Sequence, residues 1–274
     1  MTPSNANSEF AVRTLGLTKD FNGTVAVNNL NLSVNRGVFH GFLGPNGAGK
    51  STTIKMLTGL LGPTAGSIEI LGLDFQQHPL EVKRQIGVVP EDMALFERLT
   101  GSEFLSFAGR MYGLTNGVAS HRAHELLEFM DLVEAPRKLI ADYSHGMKKK
   151  ISLAAALIHT PKLLFLDEPF EGVDAIAAKT MKNTLQSMIH RGATIFLTSH
   201  VLDIVERLCT HVGIINHGVL VAQGSIEELR SGVETPHQAG AADGRPKLTL
   251  EEIFVEIVGG GLTRAEQSLA WLTE

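Results

Sequence analysis

Gly44-Pro45-Asn46-Gly47-Ala48-Gly49-Lys50-Ser51-Thr52 fits the spacing G-x-x-x-x-G-K-[S/T], and its residue types suit one task, the wrapping of a phosphate chain. Glycines let consecutive backbone N–H groups approach phosphate oxygens. A helix that follows aims its N-terminus at the same charge. Lys50 is placed to reach the outer phosphates, and the Ser51 hydroxyl to ligate Mg²⁺. The competing reading is an ordinary glycine-rich turn. A strand pattern before the loop and a helix pattern after it favour the phosphate site. A second set of chemical groups ends the run Leu163-Leu164-Phe165-Leu166-Asp167-Glu168-Pro169. Asp167 is the expected partner of Mg²⁺, through water. Glu168 is placed to orient or deprotonate an attacking water. Alone, such acids could be a solvated turn; the phosphate loop upstream weighs against that.

These groups need a scaffold. Val38 to Leu43, Leu163 to Leu166, Thr194 to Thr198 and Val212 to Asn216 read as buried strands, and Lys50 to Leu60 as a helix. Strand–helix alternation of this kind predicts an α/β fold with a mainly parallel sheet, whose ligands sit at the carboxyl ends of the strands. Residues 100–158 carry little strand pattern. Thr100 with Glu103 spells a capping box, His121 to Val133 repeats apolar residues at helical spacing, and Lys148 to Ile158 is alanine-rich. A helical subdomain over about 92–158, inserted between strand-bearing halves, is the expectation. Gly232 to Lys247 reads as a linker. A second capping box, Thr249 with Glu252, opens a tail helix striped by Leu250, Ile253, Phe254, Ile257 and Val258.

Composition bounds the function. The chain has 274 residues and a formal net charge of −5, so bulk electrostatics give no ground for a nucleic-acid partner. The single cysteine, Cys209, excludes an internal disulfide and reads as a small buried residue. No apolar stretch approaches the roughly 18–20 residues of a spanning helix. The polar start, Met1 to Phe10, lacks the marks of a signal peptide. A cytoplasmic chain that does not itself cross a bilayer is expected.

Between the phosphate loop and the acid pair stands Tyr143-Ser144-His145-Gly146-Met147. With it the chain resembles the ATP-binding subunits of ABC transporters, whose signature is Leu-Ser-Gly-Gly-Gln. Other family elements follow in order. Phe21 sits where an aromatic stacks on adenine, and Glu91 occupies the Q-loop position. Glu171-Gly172-Val173-Asp174 is the D-loop, and His200 the switch histidine. The resemblance covers roughly Phe10 to Arg230. It implies a P-loop NTPase: a RecA-like core with a mainly parallel sheet, an antiparallel β subdomain and the inserted α-helical subdomain. The nucleotide-binding domain would span 1–231, with linker 232–247 and helical tail 248–274. Two such domains would pair head to tail around two ATP molecules. One chain would supply Phe21, the loop Gly44 to Thr52, Glu91, Asp167, Glu168 and His200; the other would supply Ser144 and Gly146. Catalysis would fall to Glu168, His200 and Lys50, and Mg²⁺ to Ser51, Glu91 and Asp167.

Three positions depart from the family's commonest pattern: Glu91 for glutamine, His145 for the first signature glycine, and Glu171 for the D-loop serine. His145 is expected to point away from phosphate, the alternative being a cation on the partner's ATP. Lys148-Lys149-Lys150 reads as a solvated helix face rather than a lipid-binding patch. The resemblance implies an ATPase on the cytoplasmic face of the cell membrane. It would drive translocation, outward by the exporter-like signature and tail, through separate multi-spanning permease subunits. Its second ATPase subunit could be a copy or a different chain. The alternative is a soluble ABC ATPase acting on ribosomes or DNA. One P-loop, no long coiled coil and no basic stripe argue against it.

Overall fold

The computed structural model describes residues 9–133, 138–232 and 248–259. The chain opens with strands β1 (Phe10–Phe21), β2 (Thr24–Leu30), β3 (Ser33–Asn35) and β4 (Phe39–Leu43), then helix α1 (Lys50–Leu57). Next come β5 (Ala65–Ile70), β6 (Leu73–Asp74), α2 (Pro79–Gln85) and β7 (Ile86–Val89). A helical stretch follows: α3 (Gly101–Met111), α4 (Asn116–Phe129), a 3₁₀ turn at Ile140–Asp142 and α5 (His145–Leu157). The alternation then resumes with β8 (Leu163–Asp167), α6 (Ala175–His190), β9 (Thr194–Ser199), α7 (Leu202–Leu208), β10 (His211–Asn216), β11 (Val219–Ser225) and α8 (Ile226–Gly232). Helix α9 (Leu250–Gly259) closes the described chain.

One sheet has the order β11-β10-β4-β9-β8-β7, parallel throughout except for the antiparallel edge pair β10–β11. The other pairs β1 with β2, β3 and β5, and β5 with β6, all antiparallel. Both faces of the parallel sheet are covered, so its strands are apolar without alternation. Side chains nevertheless alternate between two cores. Leu163 and Phe165 pack with Val12, Ile54 and Ile70, on the side of the antiparallel sheet and α1. Leu164 and Leu166 pack with Leu105, Leu127, Ile151 and Leu185, on the side of the helices. The carboxyl ends of β4 and β8 are thereby fixed side by side across β9.

Several expected boundaries shift. Helix α1 stops at Leu57 rather than Leu60, because Thr58 caps it and Gly59 turns left-handed at φ +69°. The helix expected at His121 to Val133 runs from Asn116 to Phe129 instead. The Thr115 hydroxyl caps its start, and Asp131 (φ +54°) breaks it before Val133, which is exposed. Helix α5 starts three residues before Lys148, on the Ser144 cap. The lysine run is not a solvated face: Lys149 and Lys150 are buried at 2% and 6% exposure, and Lys148 pairs with Glu97. Both capping boxes are present. Backbone and hydroxyl hydrogen bonds from Thr100 and Thr249 hold the Glu103 and Glu252 carboxyls below the usual range. Cys209 is buried, which pushes its thiol above the ordinary range. Among the described residues no helix is long and apolar enough to cross a membrane. Most of the expected linker, and the tail beyond Gly259, lie outside the described residues.

Candidate functional site

The segment from Gly44 to Thr52 joins the end of β4 to α1. Two glycines there have no substitute. A Cβ on Gly44 would stand 2.3 Å from the Ile215 carbonyl oxygen of β10. Gly49 sits at φ +107°, where a Cβ would also meet the Ala26 carbonyl oxygen at 2.6 Å. Close packing of the loop on β10 and β2 thus demands glycine independently of any phosphate. Lys50 is buried and folds back over the loop, donating to the carbonyls of Gly44 (2.7 Å) and Pro45 (3.2 Å).

Strand β8 delivers the two acids. Asp167 is 2% exposed. It accepts a 2.6 Å hydrogen bond from the Thr198 hydroxyl on the neighbouring strand β9. Its Oδ1 also lies 3.3 Å from Ser51 Oγ, and Glu91 Oε2 lies 3.3 Å from that same hydroxyl oxygen. Ser51 therefore stands between two carboxylates contributed by separate strand ends.

Glu168 is held in an unusual way. Its backbone is left-handed at φ +46°, which is uncommon for a residue with a side chain. Thr198 anchors it twice, accepting from the Glu168 N–H through Oγ1 (3.1 Å) and through its carbonyl (3.3 Å). The Glu168 side chain then meets His200. Its Oε2 accepts from the His200 N–H at 3.3 Å and lies 3.0 Å from His200 Nδ1. The switch histidine position thus grips the carboxylate, with the ring 46% exposed at the cleft.

A cleft of about 420 Å³ opens over these groups, lined by Asn46, Gly47, Lys50, Ser51, Glu91, Glu168 and His200 among others. Phe21, Ser144 and Gly146 do not line it. Phe21 ends β1, with its ring half-exposed and Lys19 Nζ 5.1 Å from the ring centroid. Ser144 is exposed and caps α5, accepting from the Met147 N–H at 3.3 Å. Gly146 is buried, and a Cβ there would meet Asp174 Oδ2 at 2.8 Å. Asp174 itself caps α6, and the N–H groups of Ala177 and Ile176 keep its carboxyl below the ordinary range. The His145 ring lies on its own chain's D-loop segment, with Nε2 3.1 Å from the Glu171 carbonyl oxygen.

Two residues of this site carry no motif and escape sequence reasoning. Thr198 touches both acids. Lys149 reaches the Glu91 and Glu168 carbonyls from α5. Strand pairing alone reveals the first, since Thr198 lies opposite Asp167 in the β8–β9 register. Replacing Thr198 by valine keeps the shape and removes the hydroxyl. The buried Asp167 carboxylate then loses its shortest hydrogen bond, which costs about 1–3 kcal/mol. The expected outcome is a lower melting temperature together with slower ATP turnover. An unchanged rate would show that Thr198 serves stability only.

The chain's likenesses agree with this geometry. The family model described as ABC transporter matches residues 27–171. The daunorubicin/doxorubicin resistance ATP-binding protein DrrA of Streptomyces peucetius is 39% identical over 229 residues, 84% of this chain and 69% of its own. The bacitracin transport ATP-binding protein BcrA of Bacillus licheniformis is 40% identical over 220 residues, 80% of this chain and 71% of its own. Among solved structures, an ATP-binding subunit of an ABC transporter superposes with a TM-score of 0.79 at 31% identity, covering 90% of this chain and 99% of that one.

Proposed function

Because this chain belongs to the ABC transporter family and is one of its ATP-binding, ATP-hydrolysing subunits, we propose that it powers the export of a drug-like or peptide-antibiotic molecule. The cargo would pass through separate multi-spanning membrane subunits, with the chain on their cytoplasmic face. The relatives' names support the cargo class: one is a daunorubicin/doxorubicin resistance protein, the other a bacitracin transport protein. The observation that carries the site reading is the Glu168 carboxylate, gripped by His200 in the same cleft as Lys50 and Ser51.

The proposed division of labour follows from position. Backbone N–H groups of the loop Gly44 to Thr52, Pro45 having none, and the Lys50 ammonium hold the phosphates of ATP, and Phe21 offers its exposed ring to adenine. Glu168 Oε2 takes a proton from the attacking water, and His200 fixes where that oxygen points. The donors around Ser51 suit Mg²⁺. A hydroxyl flanked by the Asp167 and Glu91 carboxylates is a hard-oxygen set, and this ion is commonly held by one or two carboxylates plus substrate phosphates. When bound it would neutralise charge on the phosphate oxygens. Ser144 and Gly146 lie outside the cleft of their own chain, which supports pairing with a second ATPase subunit whose cleft they complete. The domain reading is one ATPase unit over 1–231 with a linker and a tail.

Membrane fractionation with affinity capture tests the transporter reading. The expected result is a membrane-bound fraction that brings down a protein with several spanning segments. A chain that stays soluble, or one that sediments with ribosomes or DNA instead, would overturn it.

A further inference from the structure

Lys149 is among the largest fully buried side chains of the chain. It is no part of the cleft lining. Nζ donates to the carbonyl of Glu91 at 3.4 Å and to the carbonyl of Glu168 at 3.3 Å. Burial pulls its pKa below the ordinary lysine range, and the negative side chains of Glu171, Glu91, Asp167 and Glu168 act against that pull. A buried ammonium is costly unless it is both paired and hydrogen-bonded. Here the acid cluster supplies the charge and two backbone carbonyls supply the acceptors. Methionine or leucine would fill the same volume without that requirement, so packing alone does not account for a lysine.

The two carbonyls belong to different parts of the site. Glu91 lies just past the end of β7, and Glu168 just past the end of β8. The ammonium arises from a third element, α5, which also carries Ser144 at its cap. Glu168 has a left-handed backbone that its surroundings must hold. Its carbonyl accepts from Lys149 Nζ and from the Glu171 N–H, so the lysine ties the carbonyl side of this turn to α5, while Thr198 holds its N–H from β9.

We propose that Lys149 is a positioning residue for ATP hydrolysis: its ammonium clamps the Glu91 segment to the Glu168 turn, and its charge offsets the carboxylate that stands at position 91. The clamp fixes the backbone from which the Glu168 side chain springs, while His200 holds its Oε2, so a shift of the Glu91 segment changes how Glu168 faces the attacking water. This inference rests on the reading of Glu168 as the base. The two are separable: full turnover in Glu168→Gln overturns that reading, whereas a wild-type rate in a Lys149 variant overturns only the clamp.

The test is a double-mutant cycle on the full chain with Mg-ATP, using Lys149→Met and Glu91→Gln. Lys149→Met is expected to lower kcat roughly tenfold or more, with KM for ATP changed less than about threefold. Glu91→Gln is expected to harm Lys149→Met much less than it harms the wild type, a coupling of roughly fivefold or more. A residue that merely packs would move neither the kcat-to-KM split nor the coupling. Additive effects, or a loss that falls on KM alone, would overturn the proposal. Should Lys149→Met fail to fold, Lys149→Gln enters the same cycle under the same criteria, since it removes the charge while keeping amide donors.

Discussion

Glu168→Gln is expected to lower ATP turnover by about 10²-fold or more while ATP binding survives, as a general base contributes roughly 10²–10⁴ in rate. The amide is nearly isosteric with the carboxylate. It can still accept from the His200 N–H, so the turn after β8 keeps its shape. What disappears is the capacity to take a proton. Bound ATP then persists, and with it the pairing of two chains that ATP favours. Size-exclusion chromatography should show an ATP-dependent dimer in this variant, longer-lived than in the wild type. Rapid hydrolysis by Glu168→Gln would move the base elsewhere and leave Glu168 as an anchor for His200.

Lys50→Ala carries the second large effect. The Lys50 ammonium is buried, and its acceptors are the carbonyls of Gly44 and Pro45. It is the one charged group of the loop itself, so on the proposed reading it is the loop's only side-chain charge facing the phosphates. Removal of such a contact costs on the order of 10²–10³ in rate. It also weakens ground-state binding, because the same charge attracts ATP before any bond breaks. Direct ATP titration should therefore show weaker affinity in Lys50→Ala, in contrast to Glu168→Gln. If the two variants show the same affinity, Lys50 acts only at the transition state.

The contrast between these variants also shows why parts of the site can be read from sequence and others cannot. The phosphate loop and the acid pair are encoded in contiguous residues. Their local spacing fixes which atoms end at the tips of β4 and β8. Thr198 carries no such mark, because it joins the site only through the β8–β9 register. The lysine run misleads for a geometric reason. Successive helical residues turn by about 100°, so three in a row cannot share one face. Helix α5 lies between the acid cluster and Asp131, which buries two of the three. The antiparallel sheet is likewise poorly announced. Strand β1 pairs along both edges, and bulges interrupt its registers with β2, β3 and β5. Its exposure pattern therefore loses the regular alternation that marks a half-buried strand.

The left-handed backbone at Glu168 sets two selective pressures against each other. A side chain in that region costs on the order of 1–3 kcal/mol that glycine would not incur. Heat resistance, selected alone, would weigh that cost against the His200 contacts glycine gives up, and where the cost is larger it would pull position 168 toward glycine and, with Glu168 as the proposed base, toward an inert chain. On the proposed reading of Glu168 as the base, selection for turnover adds to the His200 contacts in holding a carboxylate there. In a laboratory population evolved for thermal tolerance without its cargo, this codon is where loss of function would carry a folding advantage.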